Sequence, residues 1–239
     1  MHNLIYSQLA TMGITDLERH AEEVNKMGDR LMKRKQFGEA IAYYQDSLNL
    51  MLQAGNHRRA ESFRQELEKA IASRATELNK QGDGFYKQRM YKQALDVYQA
   101  AWNMISGIGG KWMQKYGAEF SRELTQAKSK YATEVLQPQV RVLLSNAQWR
   151  DALNFYQQLM DFIPAHLDQK THDQFKAGFY SVYEQWATMI NREGDHLYAA
   201  AQYGKAIDKY AQAVHLIIQT PNKRSEEQTS ELQSPNTNS

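Results

Sequence analysis

The chain has 239 residues, no cysteine, and 29 Lys and Arg against 27 Asp and Glu, a formal charge of +2. That balance excludes disulfides, cysteine nucleophiles and thiolate metal sites, and supplies no broad basic field for nucleic acid. Hydrophobic residues make up 42%, enough for a core, and only 4 prolines interrupt the chain, which favours long helices. The start, Met1-His2-Asn3-Leu4-Ile5-Tyr6, has neither the basic flank nor the apolar run of a secretory signal. No apolar stretch approaches the roughly 20 residues that span a bilayer, so a soluble, cytoplasmic protein is expected, with no membrane among its partners.

In chain order, residues 1–14 form a leader in which Leu4, Ile5 and Leu9 suit a short amphipathic helix. Thr15 and Glu18 read as a capping box for a first helix with Leu17, Val24, Met27 and Leu31 on one face, ending near Lys35. Its partner runs from about Gly38 to Gln53 and closes at Gly55-Asn56. A longer stripe, Phe63, Leu67, Ile71, Leu78 and Phe85, keeps helical spacing without a proline, followed by a partner over Lys92–Ile105. Ser106-Gly107-Ile108-Gly109-Gly110 is then expected as a loop. The next stripe, from Trp112 to Val135, meets Pro138, where a break or kink is predicted. Arg150–Phe162 follows and stops at Pro164. Thr171 and Gln174 suggest another cap, opening a stripe from Phe175 to Leu197, and a last partner spans Tyr203 to Ile218.

One skeleton recurs through these elements. Gly28, Leu31, Phe37, Ala40, Tyr44 and Ser47 match Gly82, Phe85, Tyr91, Ala94, Tyr98 and Ala101, and again Gly194, Leu197, Tyr203, Ala206, Tyr210 and Ala213. A degenerate copy holds Val140, Leu143, Trp149, Ala152, Tyr156 and Leu159. Small residues at these offsets permit two helices to approach closely while the aromatics fill the gaps. The set resembles the tetratricopeptide repeat (TPR) superfamily, whose helix pairs carry Gly, Ala, aromatic and Ala in this register. The resemblance implies an all-α array of helical hairpins over residues 15–218, with repeat cores at 24–53, 78–106, 136–164 and 190–218.

The period departs from the family. Gly28 to Gly82 is 54 residues, Gly82 to Val140 is 58 and Val140 to Gly194 is 54, the excess falling near Gly107–Gly110. Against roughly 34 for the family, each copy carries an additional helical segment. Unbroken stripes give helices of about 33 residues, some 50 Å long, and a rod of three-helix units. Breaks near Ser73, Pro138 and Tyr183 give a compact solenoid.

A polar pattern repeats with the skeleton: Asn25 and Asp29, Asn79 and Asp83, Asn191 and Asp195, each pair four apart on one helix face. The resemblance places these six in the family's concave groove, with Met32, Tyr86 and Tyr198 beside them as partner-binding positions. Salt-sensitive binding of a neutral or basic segment is the expectation if the carboxylates meet a partner. The alternative is helix-surface electrostatics, through spacings such as Asp29 to Lys33. Members that clamp a partner's terminal carboxylate use Asn where this chain has Asp29, Asp83 and Asp195, which argues against that activity.

No catalytic constellation accompanies the repeats. Gly107-Ile108-Gly109-Gly110-Lys111 lacks the earlier glycine and the final Ser or Thr of a phosphate loop. His166 and His172 lack the i, i+4 spacing of helical zinc ligands. The expected function is therefore a non-catalytic scaffold that presents a groove to a peptide or protein segment, needing no cofactor or metal. A structural spacer or a helical appendage of a larger protein is the alternative, and nucleic-acid binding ranks behind both. Residues 219–239 read as a disordered tail. Within it, Arg224–Ser234 resembles the translation of a short-read sequencing adapter except at Gln228, as if a fragment's reading frame had run into adapter.

Overall fold

The computed structural model describes residues 13–220; the leader helix expected over 3–12 and the tail from 221 onward lie outside the described residues. The described chain is all-α, with no strand, and its helices pack in consecutive antiparallel-like pairs of the kind the recurring skeleton implies. Packing divides it into a first unit ending at Ala127 and a second beginning at Lys128.

The first unit opens with α1 (Ile14–Lys33), α2 (Phe37–Gln53), α3 (His57–Lys87) and α4 (Tyr91–Ile108), and holds most of α5 (Gly110–Tyr131). Leu17 and Ala21 of α1, Tyr44, Leu48 and Met51 of α2, and Phe63 and Leu67 of α3 make one buried cluster. Ala72 and Ala75 of α3 join Ala101 and Ile105 of α4 and Phe120 of α5 in another. Each cluster is closed by a third helix, and that helix carries a phenylalanine with almost no exposed surface, Phe63 or Phe120.

The second unit contains the end of α5, a π-helical turn (Ala132–Leu136), α6 (Gln137–Ser145), α7 (Trp149–Phe162), α8 (Gln169–Ala199) and α9 (Tyr203–Ile217). Val140 of α6, Tyr156 and Leu159 of α7, and Phe175 and Val182 of α8 form its main core. Ala187 and Ile190 of α8 pack with Ala213 of α9 in a smaller one.

The structure settles several local features that the sequence left open. α3 and α8 run through Ser73 and Tyr183 without interruption, 31 residues each, so neither stripe breaks there. At Pro138 the α-helical pattern is interrupted: α5 ends at Tyr131 and α6 begins at Gln137. The π turn immediately before it widens the hydrogen-bond pattern, which accommodates the missing N–H and the bulk of the ring, and helical structure continues to Ser145. The five-residue loop at Ser106–Gly110 shrinks to Gly109, because α4 extends through Ile108 and α5 starts at Gly110. Gly109 and Gly110 supply the positive φ angles, 60° and 48°, that such an abrupt junction needs.

Neither predicted capping box forms. Gly13 precedes α1 without a side-chain cap, and Glu18 instead accepts from Asn56 Nδ2 at 2.8 Å. For α8 the cap is Asp168, which accepts from the Thr171 amide at 3.1 Å and its hydroxyl at 2.7 Å. Burial of the carboxyl opposes its ionisation, but the bonds from Ser129 and Thr171 prevail and hold Asp168 below the usual carboxylate range.

The repeat itself is visible in the backbone. Lys35, Arg89, Ala147 and Ala201 all adopt φ between 55° and 60°, one in the turn of each helix pair. In each turn the next residue donates to a carbonyl five back, as Gln36 N does to Leu31 O at 3.0 Å. That 6→1 bond closes a helix end through a left-handed residue, here achieved without glycine. Ala94 and Ala206 are buried at the helix crossings, whereas Ala100 and Ala211 face solvent.

Candidate interaction surfaces

The predicted polar ladder separates into two kinds of contact. Asp29, Asp83 and Asp195 each accept a hydroxyl from the following helix: Tyr44 at 2.7 Å, Tyr98 at 2.7 Å and Tyr210 at 2.8 Å. Beneath each ring lies a glycine. A Cβ on Gly28, Gly82 or Gly194 would come within 2.8, 2.6 or 2.6 Å of the tyrosine ring above it. Burial and then the bond to Asp29 push the Tyr44 hydroxyl far above its ordinary range, and Tyr98 is raised in the same way beside Asp83. Tyr210 is raised chiefly by its bond to Asp195. These hydroxyls are held as donors to a carboxylate.

The degenerate copy has no such pair. Val140 and Arg141 stand where the other copies have Gly and Asp, so the ring cannot lie on α6. Tyr156 lies instead over Gly178 of α8, where a Cβ would sit 2.5 Å from its ring.

The asparagines connect successive repeats. Asn25 is buried and donates to Glu66 Oε2 of α3 at 2.6 Å, while its carbonyl oxygen accepts from Ser47 at 3.1 Å. Asn79, equally buried, donates to Glu123 Oε2 of α5 at 2.6 Å. Ala101 replaces Ser47 in this copy, and the Asn79 carbonyl oxygen is left without a partner. Desolvation raises Glu123 above the usual glutamate range, the bond from Asn79 only partly opposing it. In the third copy Gln137 takes the place of Asn, and it accepts from Gln174 of α8 at 3.1 Å. Asn191, in the fourth, is exposed.

Among the remaining predicted residues, Met32 and Asp29 line a small pocket of about 290 Å³ with Glu66 and Lys69. Tyr86 packs edge-on against Tyr91, and Tyr198 against Tyr203, both across the turn of their own helix pair. Tyr86 is partly buried and Tyr198 is exposed.

A larger cleft, about 540 Å³, was not anticipated from the sequence. It is lined by Lys35 and Phe37 at the first turn, Thr76 and Lys80 of α3, and Trp112 and Tyr116 of α5. The two aromatic rings are parallel, 6.3 Å apart, and Lys111 and Lys115 lie over them at 5.3 and 4.9 Å. The signal was present in the run Lys111-Trp112-Met113-Gln114-Lys115-Tyr116, read only as a core stripe. His172 serves structure, its Nδ1 lying 3.0 Å from the Ile163 carbonyl. Among the described residues no group of His, Asp and Glu is arranged to hold a metal, and no helix is long and apolar enough to cross a membrane.

No family model matches the chain, and no curated protein matches it in sequence.

Proposed function

We propose that this protein is a non-catalytic interaction scaffold, a divergent TPR-like array that binds an extended or helical peptide segment of another protein. The observation that supports it is the cleft between Phe37 and the Trp112–Tyr116 pair. Its size suits one or two inserted side chains, and its aromatic wall offers large apolar area at low entropic cost. Asp29 and Met32 line the smaller pocket that shares α3 with it and extend the surface along the peptide.

The charge around the cleft sets the partner's chemistry. Lys35 and Lys80 line it, Lys111 and Lys115 flank it, and Glu77 is paired with Arg74. An apolar anchor flanked by acidic residues fits this field. The three ladder aspartates, each accepting a tyrosine hydroxyl, contribute less to selecting a basic partner than free carboxylates would.

Selection from a random displayed-peptide library tests the proposal. Peptides enriched in an aromatic or aliphatic residue beside Asp or Glu are expected, with affinity falling at least tenfold on Trp112→Ala, about 1.4 kcal/mol. Peptides that bind the variant as tightly as the parent would remove this cleft as the site.

A further inference from the structure

Three hollows follow one another along α3. The smallest, about 290 Å³, lies against Asp29, Met32 and Glu66. Another, about 330 Å³, is lined by Ser62, Gln65, Glu66 and Lys69 of α3 with Lys111 and Trp112 of α5. It shares Glu66 and Lys69 with the first and Trp112 with the larger cleft. The unbroken helix therefore presents one groove from Ser62 to Gln81, all of it within the first unit.

Its charge is one-sided. Lys33, Lys35, Lys69, Lys80, Lys111 and Lys115 line or flank it against three carboxylates, an excess larger than the +2 of the whole chain. Each carboxylate is already engaged: Asp29 by the Tyr44 hydroxyl, Glu66 by Asn25 and Glu77 by Arg74. Among the described residues none of the six lysines pairs with an acid, and residues 1–12 contain no Asp or Glu to supply one. In the middle hollow Ser62, Gln65, Lys69 and Lys111 can all donate. Its two lysines exceed Glu66 by one charge, which a single carboxylate neutralises.

We propose that the middle hollow is a second subsite that takes an Asp or Glu side chain of the partner, three residues from the apolar anchor, with the partner extended. This subsite rests on the peptide-binding reading of the cleft and adds to it a spacing and a conformation. Thr76, midway along the part of α3 that lines the cleft, follows Lys69 by seven residues, about 10 Å along the helix axis. Three residues of extended chain cover that length, whereas a helical partner would need seven. The apolar anchor supplies most of the affinity, and Lys69 and Lys111 select the position of the acid relative to it.

Displayed fifteen-residue peptides with a fixed central Leu and random flanks are selected on the full chain, on its Trp112→Ala variant and on the Lys69→Gln/Lys111→Gln double variant. The parent is expected to enrich Asp or Glu three residues from the Leu, on one side of it. The double variant should lose that preference and bind a parent-selected peptide about fivefold more weakly. Lys69→Arg, which keeps the charge, should retain the preference. Peptides enriched without an acid at that spacing, or the same preference on the double variant, would overturn the subsite and leave the cleft standing. A preference at seven residues would overturn the extended conformation. Peptides indifferent to Trp112→Ala would remove the cleft, and the subsite with it. Two further measurements test other occupants. NMR contacts from residues 221–239 to Lys69 in the free chain would assign the subsite to this chain itself. Displacement of a parent-selected peptide by equimolar oligouridine would assign the groove to single-stranded nucleic acid. Either result overturns an acidic peptide as its occupant.

Discussion

The Tyr98 hydroxyl donates to Asp83 across 2.7 Å, and the ring that carries it rests on Gly82, one residue before that aspartate. Neighbouring positions thus fix one tyrosine twice, by steric fit and by a charged hydrogen bond. Tyr98→Phe keeps the fit and loses the bond, at a cost of about 1.5 kcal/mol. Tyr210→Phe should cost less, since Tyr210 is only half-buried and its aspartate is exposed. Chemical denaturation of the two variants gives both values.

Two glycines in one helix separate steric demand from helix propensity. Gly82 has no room for a Cβ, whereas Gly84 has nothing within 4 Å. Gly84→Ala is expected to stabilise by about 0.5–1 kcal/mol, and Gly82→Ala to destabilise by about 1–3 kcal/mol through overpacking against Tyr98. Equal midpoints would mean that the ring moves aside freely.

The register of the helix pairs and the role of small residues at their crossings were legible in the sequence, because close approach restricts residue size at fixed offsets. The ends of elements were less legible. Ala201 and Lys35 adopt a left-handed turn that their side chains do not advertise, and the cap at Asp168 competed with a plausible Thr171 signal three residues on. The polar ladder was legible as a face but not as contacts. Asn25 and Asn79 bond to glutamates more than 40 residues away, a pairing that only the packed third helix creates. The Trp112 cleft was missed because the same stripe that buries Phe120 also displays Trp112 at its start.

The turns offer a stability test in four equivalent places. Ala147→Gly and Ala201→Gly relieve a non-glycine left-handed residue and should each raise stability by about 1 kcal/mol. Ala200→Gly, one position earlier and at φ −83°, should give no gain. Thermal melting of the three variants is sufficient.

The unpaired carbonyl of Asn79 predicts a gain of the opposite kind. Ala101→Ser restores the donor that Ser47 provides to Asn25 and should stabilise by about 1 kcal/mol. Ser47→Ala should cost about 1–3 kcal/mol by orphaning a buried oxygen. Urea unfolding checks both, and unchanged midpoints would show the carbonyl satisfied by water.

Glu123 gives the first unit a pH signature. Its carboxyl is raised by burial, so the folded chain holds this proton where the unfolded chain has lost it. Stability from this group therefore falls as pH rises from the ordinary glutamate range to the raised folded value. Asp168, held low, has the opposite sign: its contribution is lost as pH falls. Glu123→Gln retains an acceptor for Asn79 and should flatten only the first slope, visible in the difference between the two pH–stability curves.

Native-state hydrogen exchange on the full chain tests most directly the claim that a third helix closes each repeat and that the fourth face is open. Amides of α9 around Ala213 and Ile217 are predicted to exchange at least tenfold faster than those around Ala101 and Ile105 of α4, whose face is covered by α5. Equal protection of the two helices in the free chain would contradict the account.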